Sequence, residues 1–179
     1  MSLQVNLVSE VTNPGAPQIF EINGAGLLQR LSESSSPAST PGNTGLNNRN
    51  VQTDQDIRIS LNWRTQGLFA HAINPQFKWK IEVLLERRGP GEFALPGGVI
   101  TLDYGTGTFS AGPINPGSTV TFPGAANPNN TTVLIPGGTI PDGLYDVVVV
   151  LRLMHADGVS PCFLAAFADF GLVDFYREH

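Results

Sequence analysis

Strict two-residue alternation is the feature that most narrows the fold of this chain. In "IRISLNWR", residues 57–64, Ile57, Ile59, Leu61 and Trp63 alternate with Arg58, Ser60, Asn62 and Arg64. "FKWKIEVLLE", residues 77–86, repeats the pattern, with Phe77, Trp79, Ile81, Val83 and Leu85 set against Lys78, Lys80, Glu82 and Glu86. Successive side chains of a strand point to opposite faces, so each run predicts a strand with one buried and one wet face. Shorter runs follow: "VITLDY", "STVTF", "TTVLI", a Val-rich stretch after residue 143, then "CFLAAF" and "GLVDFY". The 20 Gly and 14 Pro fall mostly between these runs, where turns are needed. The expectation is all-β: an antiparallel sandwich of seven to nine strands with an N-terminal extension.

The extension has its own character. "LQVNLV" alternates, with Leu3, Val5 and Leu7 on one side; "PQIFEI" offers a second short strand; "GAGLLQRL" reads as a turn of helix or a loop. Residues 32–56, "SESSSPASTPGNTGLNNRNVQTDQD", hold almost nothing that a core would use. Such a composition predicts a flexible linker or long loop, and a structureless stretch of that length marks a boundary. Three parts are expected: an arm at 1–31, the linker at 32–56 and the sandwich at 57–179. The opening "MSLQVNLVSE" lacks a charged n-region and an apolar h-region, so it does not read as a signal peptide. A cytoplasmic chain is the expectation for the sequence as written, with a cleaved secreted form as the alternative.

Only 14% of the residues are charged, and the net charge is -5, with no basic block that could track a phosphate backbone. Nucleic acid is therefore not an expected partner. No apolar run, Val147 to Leu151 included, approaches the roughly 20 residues of a membrane helix. Cys162 is the single cysteine, which excludes an internal disulfide and a Cys-rich metal site. Its apolar setting, "SPCFLAAF", reads as that of a small packed residue.

The run "TTVLIPGGTIPDGLYDVVVVLRL", residues 131–153, resembles the strand–corner–strand passage of immunoglobulin-like and fibronectin-like domains. In those domains a Tyr follows a tight Gly turn. The resemblance implies that Tyr145 packs inward and that its hydroxyl bonds to corner backbone near Gly138 to Ile140. It extends over residues 57–176, with Trp79 on the strand where immunoglobulin domains place a core Trp. The inter-sheet disulfide of antibody domains is absent.

The corner also sets a parity. With Tyr145 inward, Val147, Val149, Leu151 and Leu153 point in, while Asp146, Val148, Val150, Arg152 and Met154 point out. On the last strand Val173 and Phe175 point in, and Leu172, Asp174 and Tyr176 point out. In an immunoglobulin topology the neighbouring strand adds Leu84 to the outer side. Leu84, Val148, Val150, Leu172 and Tyr176 are thus the expected interface, an apolar set that needs a cover. The cover is either the protein's own arm or another subunit.

No catalytic constellation accompanies this frame. His71, His155 and His179 lie in no metal-ligand spacing, and His155 beside Asp157 is best explained as turn chemistry. There is no Gly-x-Ser-x-Gly elbow, and "GTGTFSAG" is not followed by the Lys of a phosphate loop. "DYGTG" and Asp54/Asp56 lack the closing Glu of a calcium loop. Asn129 to Thr132, "NNTT", contains two overlapping glycosylation sequons. No catalytic residue, cofactor or metal is expected. The expected function is a non-enzymatic interaction or assembly module that pairs with itself as a homodimer or with another protein. The alternative is a carbohydrate- or ligand-binding module using Tyr104, Phe109 and Phe122 as loop-end aromatics.

Overall fold

The computed structural model describes residues 2–9, 21–30, 49–67, 70–89, 93–110 and 118–177. They form twelve strands and one 3-10 turn, with no α-helix among the described residues. In chain order the strands are β1 (Ser2–Asn6), β2 (Val8–Ser9), β3 (Glu21–Arg30), β4 (Asn50–Gln52), β5 (Ile57–Gln66), β6 (Lys78–Arg87), β7 (Val99–Asp103), β8 (Thr108–Phe109), β9 (Thr119–Phe122), β10 (Thr132–Ile135), β11 (Gly143–Met154) and β12 (Pro161–Tyr176). They build two sheets around one core, a β-sandwich.

The first sheet runs β1-β3-β5-β9-β8, and β10 also pairs β5. β3 takes one whole edge of β5, from Glu21 opposite Gln66 to Arg30 opposite Ile57. The other edge is shared: β10 pairs Ile57–Ser60 and β9 pairs Trp63–Gln66. The second sheet runs β2-β12-β11-β6-β7, and β4 joins β12 in parallel. Every other pairing is antiparallel.

β11 lies between β12 and β6 along nearly its whole length, which explains its composition. A central strand is covered on both edges, and its inner face belongs wholly to the core. Tyr145, Val147, Val149 and Leu151 are fully buried, and Leu153 is 1% exposed. At the core's centre Trp63 stacks on Phe122 with centroids 4.9 Å apart, and Trp79 meets Trp63 edge-on at 5.7 Å. Each indole removes roughly 150–250 Å² from water, or about 4–6 kcal/mol at ~25 cal/mol per Å². Neither indole N–H has a hydrogen-bond partner among the described residues. That omission costs about 1–3 kcal/mol apiece, so burial wins.

The Tyr145 hydroxyl donates to the Pro141 carbonyl at 3.1 Å. The bond is the expected corner bond, made one residue later than the Gly138–Ile140 window. Gly138 and Gly143 take positive φ values of 78° and 150° in the turn, where a side chain would be strained.

Of the segment read as helix or loop, "GAGLLQRL", residues 24–30 are strand in the structure. β3 seats so tightly that a Cβ on Gly24 would collide with the Asn62 carbonyl. A Cβ on Gly26 would lie 3.0 Å from Ala168 Cβ and Phe170 Cζ of the facing sheet. The glycines mark close approach between backbones, not a break in structure. β1 pairs β3 in the first sheet; the chain then passes Leu7, whose N–H donates to the Gly24 carbonyl at 2.8 Å, and β2 pairs β12 in the second. The described part of the arm therefore bridges the sheets of its own chain. Residues 32–48 of the expected linker, with 10–20 of the arm, lie outside the described residues. The last part of that linker holds β4, and Val51, Gln52 and Thr53 are buried.

Candidate interaction face

The outer face of the second sheet can be read row by row from its register. Val148 stands opposite Leu84 on β6 and Asp169 on β12. One row on, Val150 stands opposite Glu82 and Phe167. In the other direction Asp146 stands opposite Glu86 and Leu172. Leu84 is 45% exposed, and Leu144 and Val99 on the same side are 39% and 46% exposed. Val148, Val150, Phe167 and Leu172 are half-buried.

The structure thus brings Leu84, Val148 and Val150 side by side and sets Leu172 one row away. Tyr176 lies further along β12, opposite Gln52 of β4 and beyond Asp174, outside the contiguous set. Phe167 is the member that the sequence reading missed. Counting back by twos from Val173 places Phe167 in the core and Phe170 outside. A bulge between Asp169 and Gly171 reverses that parity: Leu164, Ala166, Ala168 and Phe170 are buried, and Phe167 turns outward. Gly171 takes φ +63°, the Asp169 carboxylate accepts its N–H at 2.7 Å, and Arg49 Nη1 donates to the Phe170 and Leu172 carbonyls at 3.4 and 3.3 Å. The signal was present as "ADFG", an Asp two residues before a Gly within a strand.

Charged groups border the apolar rows. Arg88 meets Asp146 at 2.6 Å, and Glu82 accepts both Lys80 at 3.3 Å and Arg152 at 3.4 Å. Surface pairs of this kind, partly open to solvent, contribute about 0–1 kcal/mol. They form a polar rim more than a source of stability. Among the described residues no segment lies across the face; β2 and β4 attach along the β12 edge, in the plane of the sheet.

The remaining candidates resolve by burial. Tyr104 and Phe122 are fully buried, which removes two of the three loop-end aromatics; Phe109, on β8, is 37% exposed. Tyr104 donates its hydroxyl to the Ala70 carbonyl and accepts from Thr65 Oγ1, both at 2.8 Å. Burial pushes its pKa up to about 12, against the opposing effect of the Thr65 bond. His71 Nε2 lies 3.2 Å from both the Thr119 carbonyl and Ser110 Oγ, with Phe109 edge-on. His155 packs on Phe77. Asp157 closes its turn by accepting from Ser160 Oγ at 2.7 Å and from the Val159 and Ser160 N–H groups. Those bonds, the Ser160 hydroxyl first, hold its carboxyl down at about 2. Burial first, then the Asp157 charge, raises the Cys162 thiol above its ordinary range. That disfavours the reactive thiolate.

No group of three His, Cys, Asp or Glu among the described residues could hold a metal ion. No helix among them is long and apolar enough to cross a membrane. A cleft of about 310 Å³ opens at the β7 edge, between Lys78, Thr101 and Asp103 on one side and Thr106, Asn127 and Asn130 on the other. No family model, curated protein or solved structure matches the chain.

Proposed function

We propose that this chain is a non-enzymatic assembly module, an immunoglobulin-like sandwich that self-associates through the outer face of its second sheet. The immunoglobulin-like reading is supported by the β12-β11-β6-β7 order and by the Tyr145 bond at the corner leading into β11. The observation that carries the functional reading is the adjacency of Leu84 and Val148 on that face, continued by Val150 and Phe167. Removing such a surface from water contributes roughly 25 cal/mol per Å² before the costs of association. A rim of charged pairs around an apolar centre is the usual anatomy of a protein interface.

Light scattering on a sizing column tests this. Val148→Lys and Leu84→Lys should fold and run as smaller species than the wild type, while Asn62→Lys, on the outer side of the first sheet, should leave the mass unchanged. Equal masses for the wild type and both face variants would overturn the reading.

A further inference from the structure

The two edges of the second sheet are finished differently. Along β12 the backbone is covered by β2, by the Arg49 guanidinium and by β4. Among the described residues β7, at the other end, pairs only with β6. Its register fixes which backbone groups are left over. Val83 N–H donates to the Gly98 carbonyl and Tyr104 N–H to the Phe77 carbonyl. In an antiparallel ladder the bonded pairs alternate, so Ile100 and Leu102 face β6, while Val99, Thr101 and Asp103 aim their N–H and C=O groups away from it. Of those, only the Asp103 carbonyl has a partner among the described residues, the Thr106 hydroxyl at 2.7 Å. The strand carries no Lys, no Pro and no bulge, the devices that usually guard an open edge.

We propose that β7 pairs antiparallel with β7 of a second copy, about a twofold axis through Thr101. The inference does not rest on the face reading. Its basis is self-complementarity. Centred on Thr101, the bonded pairs are Thr101 with Thr101 and Val99 with Asp103 twice over, giving about six backbone hydrogen bonds from groups already pointing outward. A Thr–Thr pair across antiparallel strands is favourable, and no like charges fall opposite each other. On the inner side Ile100 comes opposite Leu102, so the apolar core continues across the junction. The cleft beside Thr101 and Asp103 gives the incoming strand room, and the residues that precede the partner's Val99, Gly97 and Gly98, bring no side chains into it. The joined sheet would set two apolar faces side by side in one surface.

The test removes the face first. In Val148→Lys the protein at about 500 μM, where an interface below standard size is populated, should still be a dimer. Adding Thr101→Lys, which sets two ammonium groups against each other, should make it a monomer. Thr101→Pro should do the same, since its lost N–H is one that β6 does not use. In a Cys162→Ser background, Thr101→Cys should oxidise to a covalent dimer, because bonded antiparallel pairs sit ~5.5 Å apart, within disulfide reach. Val99→Cys, opposite Asp103, should not. A Val148→Lys protein that is monomeric at this concentration overturns the proposal even if the edge takes up an extended peptide from another protein. So does a dimer indifferent to Thr101→Lys, or equal cross-linking at positions 99 and 101. Loss of face-mediated mass with the edge dimer intact separates the two readings.

Discussion

The outer faces of the two sheets share one core and differ in what they show to solvent. On the first sheet β5 presents Arg58, Ser60, Asn62, Arg64 and Gln66, and Ser60 hydrogen-bonds across to Thr132 at 3.1 Å on β10. Leu134, opposite Arg58, is exposed on that side too, whereas on the second sheet Leu84, Val148, Val150 and Phe167 stand together, with Glu82, Asp146 and Asp169 beside them. Both faces lie over equally buried inner residues, from Ile57, Ile59, Leu61 and Trp63 on one side to Val147, Val149 and Leu151 on the other. Stability requires only the inner rows to be apolar. The polar outer row of β5 is what a strand facing water needs; in the proposed function the apolar outer positions of the second sheet are the ones that a contact buries.

The comparison breaks first at neighbouring positions on β11. Val149→Lys buries an unpaired ammonium in the shared core and should cost more than about 4 kcal/mol, enough to abolish cooperative unfolding in urea. A folded Val149→Lys protein would mean that inner and outer rows are not distinct. The next effect concerns the pin between the sheets. Tyr104 follows β7 of the second sheet and bonds Thr65 on β5 of the first. Its pKa rises from 10.0 to about 12 in the fold, so the unfolded chain loses this proton first as pH rises. The contribution is fully present below pH 10 and lost by pH 12, a fall of about 2–3 kcal/mol. Tyr104→Phe should flatten that part of the stability–pH curve; an unchanged slope would show that the Tyr104 hydroxyl is not buried between the sheets. The smallest effect is local to the second sheet. Tyr145→Phe removes the bond to Pro141 and should cost about 1 kcal/mol in chemical unfolding, with the apolar face unaffected.

How much was legible follows the range of the interactions. β5 and β6 announce themselves through alternation, and the inward positions of Trp63 and Trp79 follow from it, while the inward Tyr145 of β11 was implied by the corner resemblance. The face could be named in part, because Leu84, Val148 and Val150 obey the same parity. β3 could not be read, since its glycines answer to Asn62 and Ala168, residues far away in the chain. Phe167 was hidden for a related reason: one extra residue at the bulge inverts every position before it.

The sequence by itself determined the all-β class, the core rows of β5 and β6, the corner at Tyr145 and the absence of an internal disulfide. These depend on the period of the backbone and on residues close along the chain. The tertiary structure alone decided that residues 2–9 and 21–30 join both sheets, that Arg49 and β4 close the β12 edge, and that β7 has a strand partner on one edge only among the described residues. Strand pairing is a contact between distant segments, chosen by which neighbour best satisfies backbone groups and buries side chains. A strand's own residues carry its faces; its edges are assigned only when the rest of the chain has found its place.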